Sequence, residues 1–164
     1  MTDYKYYVDA SFEGKNSLGV LGYIVVSSDS KEYSISLSSA LSEKNNIRME
    51  LRANIEVLKE IIEIRKSLSN ANDISSFEVY TDCQTVSKLI ERREKLFSKD
   101  FKSGRTGKDL NNADLYREFF KLQDIAKAKI IWIKGHTKKS ERSENAHFFS
   151  LIDQAVRSKL RDIS

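Results

Sequence analysis

The sequence predicts an α/β protein with a five-stranded mixed sheet and helices on both faces. Three strand patterns open the chain without an intervening helix, and each later strand pattern is separated from the next by helical patterns. Consecutive strands joined by short turns usually pair antiparallel, whereas strands connected through a helix usually run parallel. The predicted sheet therefore consists of three antiparallel strands followed by two parallel ones.

Length and composition predict a single domain over residues 1–164. Hydrophobic residues make up 40% of the chain and charged residues 32%, which is typical of a globular domain with one core. No apolar run approaches the roughly 20 residues of a membrane span, and residues 1–7 lack a signal-peptide pattern. The single cysteine excludes an intrachain disulfide and zinc sites built on several cysteines. We therefore expect a cytoplasmic monomer without membrane contact.

The first half of the chain places two acids near strand ends and one near a helix start. Residues 4–8 are rich in aromatic and β-branched residues, and this first strand is predicted to end at Asp9. An amphipathic helix is predicted over residues 48–66, with Asn45 or Asn46 as its cap and Glu50 in about its first turn. Residues 76–81 alternate as a strand and a helical pattern follows, so Asp82 lies at a strand-to-helix junction.

The second half predicts a further strand between two helices. Residues 129–134 form a continuous apolar strand, in which Trp132 is expected to belong to the core. Apolar residues recur at helical spacing near the C-terminus and place Asp153 on the last helix. Ser143 and Asn145 are predicted to cap that helix rather than to act in a site.

Between Arg92 and Lys108 the chain carries seven bases and two acids, a net charge of +5 against +4 for the whole chain. One interpretation is a solvated helix end and loop. The other is a nucleic-acid surface, because Phe97 and Phe101 lie among the bases. The segment alone does not distinguish the two interpretations.

The four acids together favour a metal site. Each has a simple explanation alone: Asp9 as a turn residue, Glu50 as a first-turn helix acid, Asp82 as a helix cap, and Asp153 as a surface acid. If the predicted fold brings them to one sheet edge, all four cannot remain ionised without a cation. Oxygen-rich ligand sets select Mg²⁺ or Mn²⁺, and paired ions are the usual device for phosphodiester hydrolysis.

Motifs in a fixed order along the chain support that interpretation. Together they resemble type I ribonuclease H over nearly the whole chain, which implies a ribonuclease H-like fold. The motifs are YVDAS at 7–11, NIRMEL at 46–51, YTDCQ at 80–84, WIKGH at 132–136 and DQAVR at 153–157.

The resemblance implies an endoribonuclease that cuts the RNA strand of RNA–DNA hybrids with two Mg²⁺ ions, which Mn²⁺ can replace. It implies that Asp9 bridges both ions, that Glu50 and Asp82 complete the ligands of one, and that Asp153 serves the other. His136 matches a loop histidine that assists proton transfer or product release. The products would carry 5′-phosphate and 3′-hydroxyl ends.

The resemblance also implies how a hybrid would be held. Recognition would rest on 2′-hydroxyls, groove shape and phosphates rather than on base sequence. Asparagine and glutamine side chains would contact the minor groove, and the basic segment would hold the DNA strand. The implied contact residues are Asn45, Asn46, Gln84, Arg92, Arg93, Lys95, Lys99, Lys102 and Arg105.

The sequence departs from the family pattern around the loop histidine. Lys138 stands where the family has glycine, Phe149 and Ser150 stand where it has an Asn-Glu pair, and His136 and Asp153 are 17 positions apart. Two alternatives therefore stay open. One is a nucleic-acid-binding module with little turnover, and the other is a related nuclease acting on duplex RNA or a DNA junction.

Overall fold

The computed structural model describes residues 2–30, 32–68, 75–134 and 143–163. Within these ranges the chain forms six strands and five helices. The strands are β1 (Asp3–Glu13), β2 (Leu18–Ser27), β3 (Tyr33–Leu37), β4 (Leu41–Ser42), β5 (Ser76–Thr81) and β6 (Lys129–Trp132). The helices are α1 (Asn46–Ser67), α2 (Gln84–Leu89), α3 (Arg93–Ser98), α4 (Ala113–Ala126) and α5 (Glu144–Ile163).

The sheet has the order β3-β2-β1-β5-β6 and the predicted mixed topology. The first three strands pair antiparallel, and β5 pairs parallel with both β1 and β6. This arrangement confirms the predicted fold class. The additional strand β4 pairs with Leu18 and Gly19 of β2, and with two residues it is too short to give an alternating pattern in the sequence.

The first strand is longer than predicted, and Asp9 lies within it rather than at its end. The antiparallel pairing with β2 continues from Asp9, opposite Gly22, as far as Glu13. The parallel pairing with β5 stops earlier, at Tyr7 opposite Tyr80. Asp9 therefore lies just beyond the point where β5 leaves β1, which opens space beside its side chain.

Side chains of β1 alternate between two cores because successive strand residues point to opposite faces. Tyr6 and Val8 belong to the larger core, in which the buried faces of α1 and α4 also lie. Tyr7 belongs to a smaller core with Phe149 and Ile152 of α5. Asp9 shares the strand face of Tyr7, so its side chain lies on the side that α5 covers.

Close packing requires a glycine opposite Asp9. A Cβ atom on Gly22 would come within 2.8 Å of the Ser36 backbone oxygen and 3.2 Å of Ile152 Cδ1. Because the Ser36 oxygen belongs to the backbone of the neighbouring strand, a side chain at position 22 would fit only if that strand or the packing of Ile152 shifted. Gly22 thus lets α5 approach the strand that carries Asp9.

The prediction that Trp132 belongs to the core is wrong. Its side chain is 43% exposed, because β6 forms the edge of the sheet and Trp132 is its last residue. A single apolar run does not distinguish an edge strand from a central one. Among the described helices, none has the length and apolar character needed to cross a membrane.

Candidate functional site

Three acids from distant parts of the sequence meet at the edge where β1 and β5 diverge. One carboxylate oxygen each from Asp9, Glu50 and Asp82 lies within 4.8 Å of the other two. Asp9 comes from β1, Glu50 from α1, and Asp82 from the junction between β5 and α2. Asp9 and Glu50 are buried, and Asp82 is half-buried.

Helix α1, which carries Glu50, begins two residues earlier than predicted, at Asn46. Asn45 is the N-cap, and its side-chain oxygen accepts a hydrogen bond from the Arg48 amide at 2.9 Å. Glu50 consequently lies in the second turn, and the first turn contains no acid. Its explanation as a first-turn acid that favours the helix dipole is therefore wrong.

Asp82 is likewise not the cap of the helix that follows it. The N-cap of α2 is Cys83, whose side chain makes no capping hydrogen bond. The junction is instead held by the Thr81 hydroxyl, which accepts a hydrogen bond from the Cys83 amide at 3.1 Å. The Trp132 indole N–H also donates a hydrogen bond to the Asp82 carbonyl oxygen at 3.2 Å.

The electrostatics of the cluster favour a bound cation. Burial raises the pKa of Asp9, and the negative charges of Glu50 and Asp82 raise it further. Burial also raises the pKa of Glu50, with the charge of Asp82 as the next cause. Among the described residues, Asp9 Oδ2 and Glu50 Oε2 are buried without a hydrogen-bond partner. These unpaired oxygens suit a divalent cation such as Mg²⁺ or Mn²⁺.

Asp153 borders this trio from α5. A side-chain hydrogen bond with Asp153 favours the protonated form of Asp9 and contributes to its raised pKa. One turn further along the helix, Arg157 Nε lies 3.1 Å from Asp153 Oδ1. Asp153 therefore lies beside the trio without belonging to the group of acids whose oxygens lie within 4.8 Å of one another, and its carboxylate is paired with Arg157. Arg157 was not predicted as a site residue, although its i,i+4 spacing from Asp153 is typical of an ion pair on a helix.

A second contact fixes α5 against β1. The Tyr7 hydroxyl donates a hydrogen bond to Asn145 Oδ1 at 2.6 Å, and the Tyr7 ring stacks on Tyr80. Asn145 lies inside α5, so its prediction as a cap is wrong, whereas the Ser143 hydroxyl does accept a hydrogen bond from the Ala146 amide at 3.3 Å. Tyr7 and Asn145 were not predicted as functional residues.

The residues expected to contact a minor groove are close in sequence to acids of the cluster: Asn45 and Asn46 precede Glu50, and Gln84 follows Asp82. Asn46 is the first residue of α1 and Gln84 the first residue of α2, and both are exposed. Asn45 is also exposed, with its side-chain oxygen engaged in capping α1. His136 lies outside the described residues.

Part of the basic segment forms a pocket. Four of its cations surround a floor formed by Leu96, Phe101 and Leu110, and the cavity has a volume of about 200 Å³. Phe101 is buried in this floor, so its ring does not face solvent among the bases. The four cations are Arg92, Lys95, Lys99 and Lys102.

The other two predicted cations of the basic segment behave differently. Arg93 forms two contacts of 2.9 Å with the Asp124 carboxylate, and its guanidinium lies over the rings of Phe97 and Phe120. Arg93 therefore holds α3 against α4 within the protein. Arg105 is exposed and does not line the pocket.

The chain is similar in sequence and in fold to proteins of one family. The sequence profile of the RNase H family matches residues 1–157. Ribonuclease H of Treponema denticola is 33% identical over 134 residues, covering 79% of this chain and 84% of that protein. Ribonuclease H of Campylobacter jejuni is 33% identical over 131 residues, covering 79% and 77%. Among solved structures, LC9-RNase H1 is described as a type 1 RNase H with the type 2 active-site motif. Its superposition on this chain has a TM-score of 0.63 at 16% identity and covers 96% of this chain and 73% of that chain, which shows a similar fold.

Proposed function

The chain belongs to the ribonuclease H family and is a ribonuclease H enzyme, and from this premise we propose that it hydrolyses the RNA strand of RNA–DNA hybrids with divalent metal ions. The observation that carries the proposal is the cluster of Asp9, Glu50 and Asp82 with two buried, unpaired carboxylate oxygens. Such an arrangement destabilises the ion-free protein, so a pure binding module would gain nothing from it. We further propose a cytoplasmic, single-domain, monomeric enzyme.

We propose that two Mg²⁺ ions act at this site and that Mn²⁺ can replace them. Asp9 would hold both ions, Glu50 and Asp82 would complete the ligands of one, and Asp153 would serve the other. When bound, the ions supply positive charge that activates a water molecule and stabilises the leaving oxygen. This reaction leaves 5′-phosphate and 3′-hydroxyl ends.

The protein's own residues would orient the substrate and move protons. Asn45, Asn46 and Gln84 would contact 2′-hydroxyls and bases in the minor groove, where RNA and DNA strands differ. His136 would assist proton transfer or product release. Phosphates of the DNA strand would be held by the predicted basic set, Arg92, Arg93, Lys95, Lys99, Lys102 and Arg105. Within this set, Arg93 already forms an ion pair with Asp124.

The test is cleavage of a labelled RNA–DNA hybrid by wild-type protein and Asp82→Asn, with Mg²⁺ or Mn²⁺. Duplex RNA, a DNA junction, duplex DNA and both single strands serve as competing substrates. Asp162→Asn is the matched control, because Asp162 is an exposed aspartate at the far end of α5. We expect cleavage confined to the RNA of the hybrid, lost in Asp82→Asn and retained in the control.

The other outcomes separate the alternatives. Hybrid binding without cleavage in either ion would favour a binding module. Preferential cleavage of duplex RNA or of a junction would favour a related nuclease with another substrate. Full hybrid cleavage by Asp82→Asn would remove this carboxylate from the mechanism.

A further inference from the structure

We propose that Trp132 is a positioning residue that holds the Asp82 peptide so that the Asp82 carboxylate meets the metal ions. This inference rests on the proposed function, since it assigns Trp132 a role at the same site. The contact that carries it is the hydrogen bond from the Trp132 indole N–H to the Asp82 carbonyl oxygen, 3.2 Å long.

This contact lies one residue beyond the end of the strand pairing between β5 and β6. The parallel ladder between β5 and β6 ends with Thr81 opposite Trp132, and the Ile133 amide adds one more hydrogen bond to the Thr81 carbonyl at 2.9 Å. Asp82 is the next residue, so strand pairing no longer determines the direction of its peptide. The indole extends the hold of β6 on β5 by one residue, to the residue that carries the carboxylate.

The peptide unit that joins Asp82 to Cys83 is held at both of its polar ends. Its N–H, on Cys83, donates a hydrogen bond to the Thr81 hydroxyl at 3.1 Å, and its carbonyl, on Asp82, accepts the hydrogen bond from the Trp132 indole. Helix α2, which follows, has six residues, and its N-cap Cys83 makes no side-chain capping bond. A rotation of that peptide would turn the carboxylate away from Asp9 and Glu50. The indole hydrogen bond opposes that rotation.

Burial does not explain why a tryptophan stands at this place. The ring is 43% exposed on an edge strand, where a smaller or more polar residue would leave less apolar surface in water. The indole differs from other aromatic rings in carrying an N–H that acts only as a donor. Its contact with a carbonyl acceptor is therefore the property that a substitution by phenylalanine removes while most of the ring remains.

Metal affinity is the direct measurement, because a displaced ligand weakens ion binding even without substrate. We would titrate Mg²⁺ and Mn²⁺ into wild-type protein, Trp132→Phe and Trp132→Leu by calorimetry, and measure the ion-induced shift of the unfolding midpoint. Supporting residues around metal ligands typically change affinity by about 10–100-fold, so we expect a loss of about tenfold in both variants. Cleavage should recover at high Mg²⁺, with an unchanged KM for the hybrid.

Ile130→Val is the matched control for a general weakening of β6. Ile130 lies on the same strand, packs against the larger core and does not contact Asp82 in the ladder. It should lower stability slightly and leave ion affinity unchanged. An equal loss of ion affinity in this control would overturn the specific role of the indole.

The wild-type protein supplies an independent readout. Trp132 is the only tryptophan of the chain, so all tryptophan emission comes from the ring whose N–H binds the Asp82 carbonyl. We expect Mg²⁺ to change this emission in wild-type protein and not in Asp82→Asn. An emission that stays constant while calorimetry shows ion binding would contradict the inference.

The remaining outcomes separate this inference from the proposed function. Trp132→Phe with wild-type ion affinity would overturn the inference alone, and a loss of hybrid affinity confined to Trp132→Leu would show that the ring contacts nucleic acid instead. Wild-type protein that binds no ion and cuts no hybrid would overturn the proposed function, and the inference with it.

Discussion

The acidic cluster and the basic segment carry opposite charges. They also differ in burial, because two of the acids lie in the protein interior and most of the bases lie at the surface. Asp9 and Glu50 are buried with unpaired oxygens, and burial together with the charge of Asp82 raises the pKa of both. The pocket cations of the basic segment are exposed. Buried charges are weakly screened and demand a partner at a fixed place, whereas exposed charges act through a field that salt weakens. The first region therefore suits a specific ion, and the second suits a polyanion.

Acids within and beside the basic segment reduce the charge that it presents. Lys102 Nζ lies 3.8 Å from Asp100 Oδ2, and the net charge of +5 already includes Asp100. Arg93 is paired with Asp124 of α4, an acid outside the segment that this count does not include. The net charge counted along the segment therefore overstates the charge that is available to a substrate. No comparable neutralisation by a basic side chain is seen at Asp9 or Glu50 within the described residues.

The largest effect is expected from removing one charge of the cluster. Asp9→Asn should lower hybrid cleavage by at least about a hundredfold, the scale on which a group that stabilises transition-state charge acts. Asp3→Asn on the same strand is the control, because Asp3 accepts a hydrogen bond from Ser76 far from the cluster. Single-turnover cleavage in Mg²⁺ is the measurement. Retained activity in Asp9→Asn would show that the cluster is not the reaction centre.

A second effect concerns pH and stability without ions. The pKa values of Asp9 and Glu50 are raised in the folded state, so the folded protein binds more protons than the unfolded chain above the usual carboxyl range. The stability this contributes is complete below the unfolded pKa values and is lost as pH rises through the folded ones. Urea unfolding in chelator should therefore show a loss of about 1–3 kcal/mol between about pH 5 and pH 8.

Two comparisons sharpen the pH experiment. Saturating Mg²⁺ should flatten the dependence, since a bound cation favours the ionised carboxylates. Asp9→Asn should flatten it too, because one of the mutually repelling groups has lost its charge. A wild-type stability that rises over this pH interval would contradict the raised pKa values.

A smaller effect is expected at the basic pocket. Changing Lys95, Lys99 and Lys102 together to alanine should raise the KM for hybrid about tenfold and reduce the salt slope of binding by about 2–3, since each phosphate contact contributes about 0.9. Hybrid affinity at several salt concentrations measures this slope. Lys121→Ala, an exposed lysine on α4, is the control. An unchanged slope in the triple variant would place the DNA strand elsewhere.

Arg93→Ala distinguishes a structural cation from a binding one within the same segment. Because Arg93 is held by Asp124 and two aromatic rings, its loss should lower the free energy of unfolding. The salt slope of hybrid binding should stay at the wild-type value. A reduced slope with unchanged stability would assign Arg93 to the substrate instead.

The smallest effect is expected at the edge of the cluster. Arg157 is about half exposed where it pairs with Asp153, and exposed ion pairs contribute at most about 1 kcal/mol. Arg157→Met should therefore change stability by less than about 1 kcal/mol and hybrid cleavage by less than about fivefold. Chemical unfolding and steady-state cleavage measure the two quantities. A loss of cleavage comparable to that of Asp9→Asn would show that this pair belongs to the cluster rather than to the surface.

Features that depend on the order of strands and helices could be predicted from the sequence. The parallel pairing of β5 with β1 follows from the helix between them, and it is this pairing that brings Asp82 towards Asp9. The approach of Glu50 follows from the packing of α1 on the same sheet. Local sequence patterns and the rule that strands connected through a helix run parallel were sufficient for these features.

Features that depend on sheet edges and distant partners could not be predicted. The pattern of β6 does not reveal that it is an edge strand, and hence that Trp132 is exposed. The partner of Arg93 is Asp124, 31 residues away, and the partner of Tyr7 is Asn145, 138 residues away. Such contacts depend on how the helices pack in three dimensions. The order of charged and polar residues along the chain does not specify this packing.

The packing of α5 on β1 has a consequence for which parts of the sequence can vary in length. Helix α5 is seated by its apolar face and by the bond from Tyr7 to Asn145, so the position of Asp153 is set by docking and not by the chain that precedes the helix. Lengthening a connection costs little, about 0.6 kcal/mol for each doubling. Insertions and deletions between Lys134 and Ser143 should therefore accumulate among related sequences while the spacing from Asn145 to Asp153 stays constant.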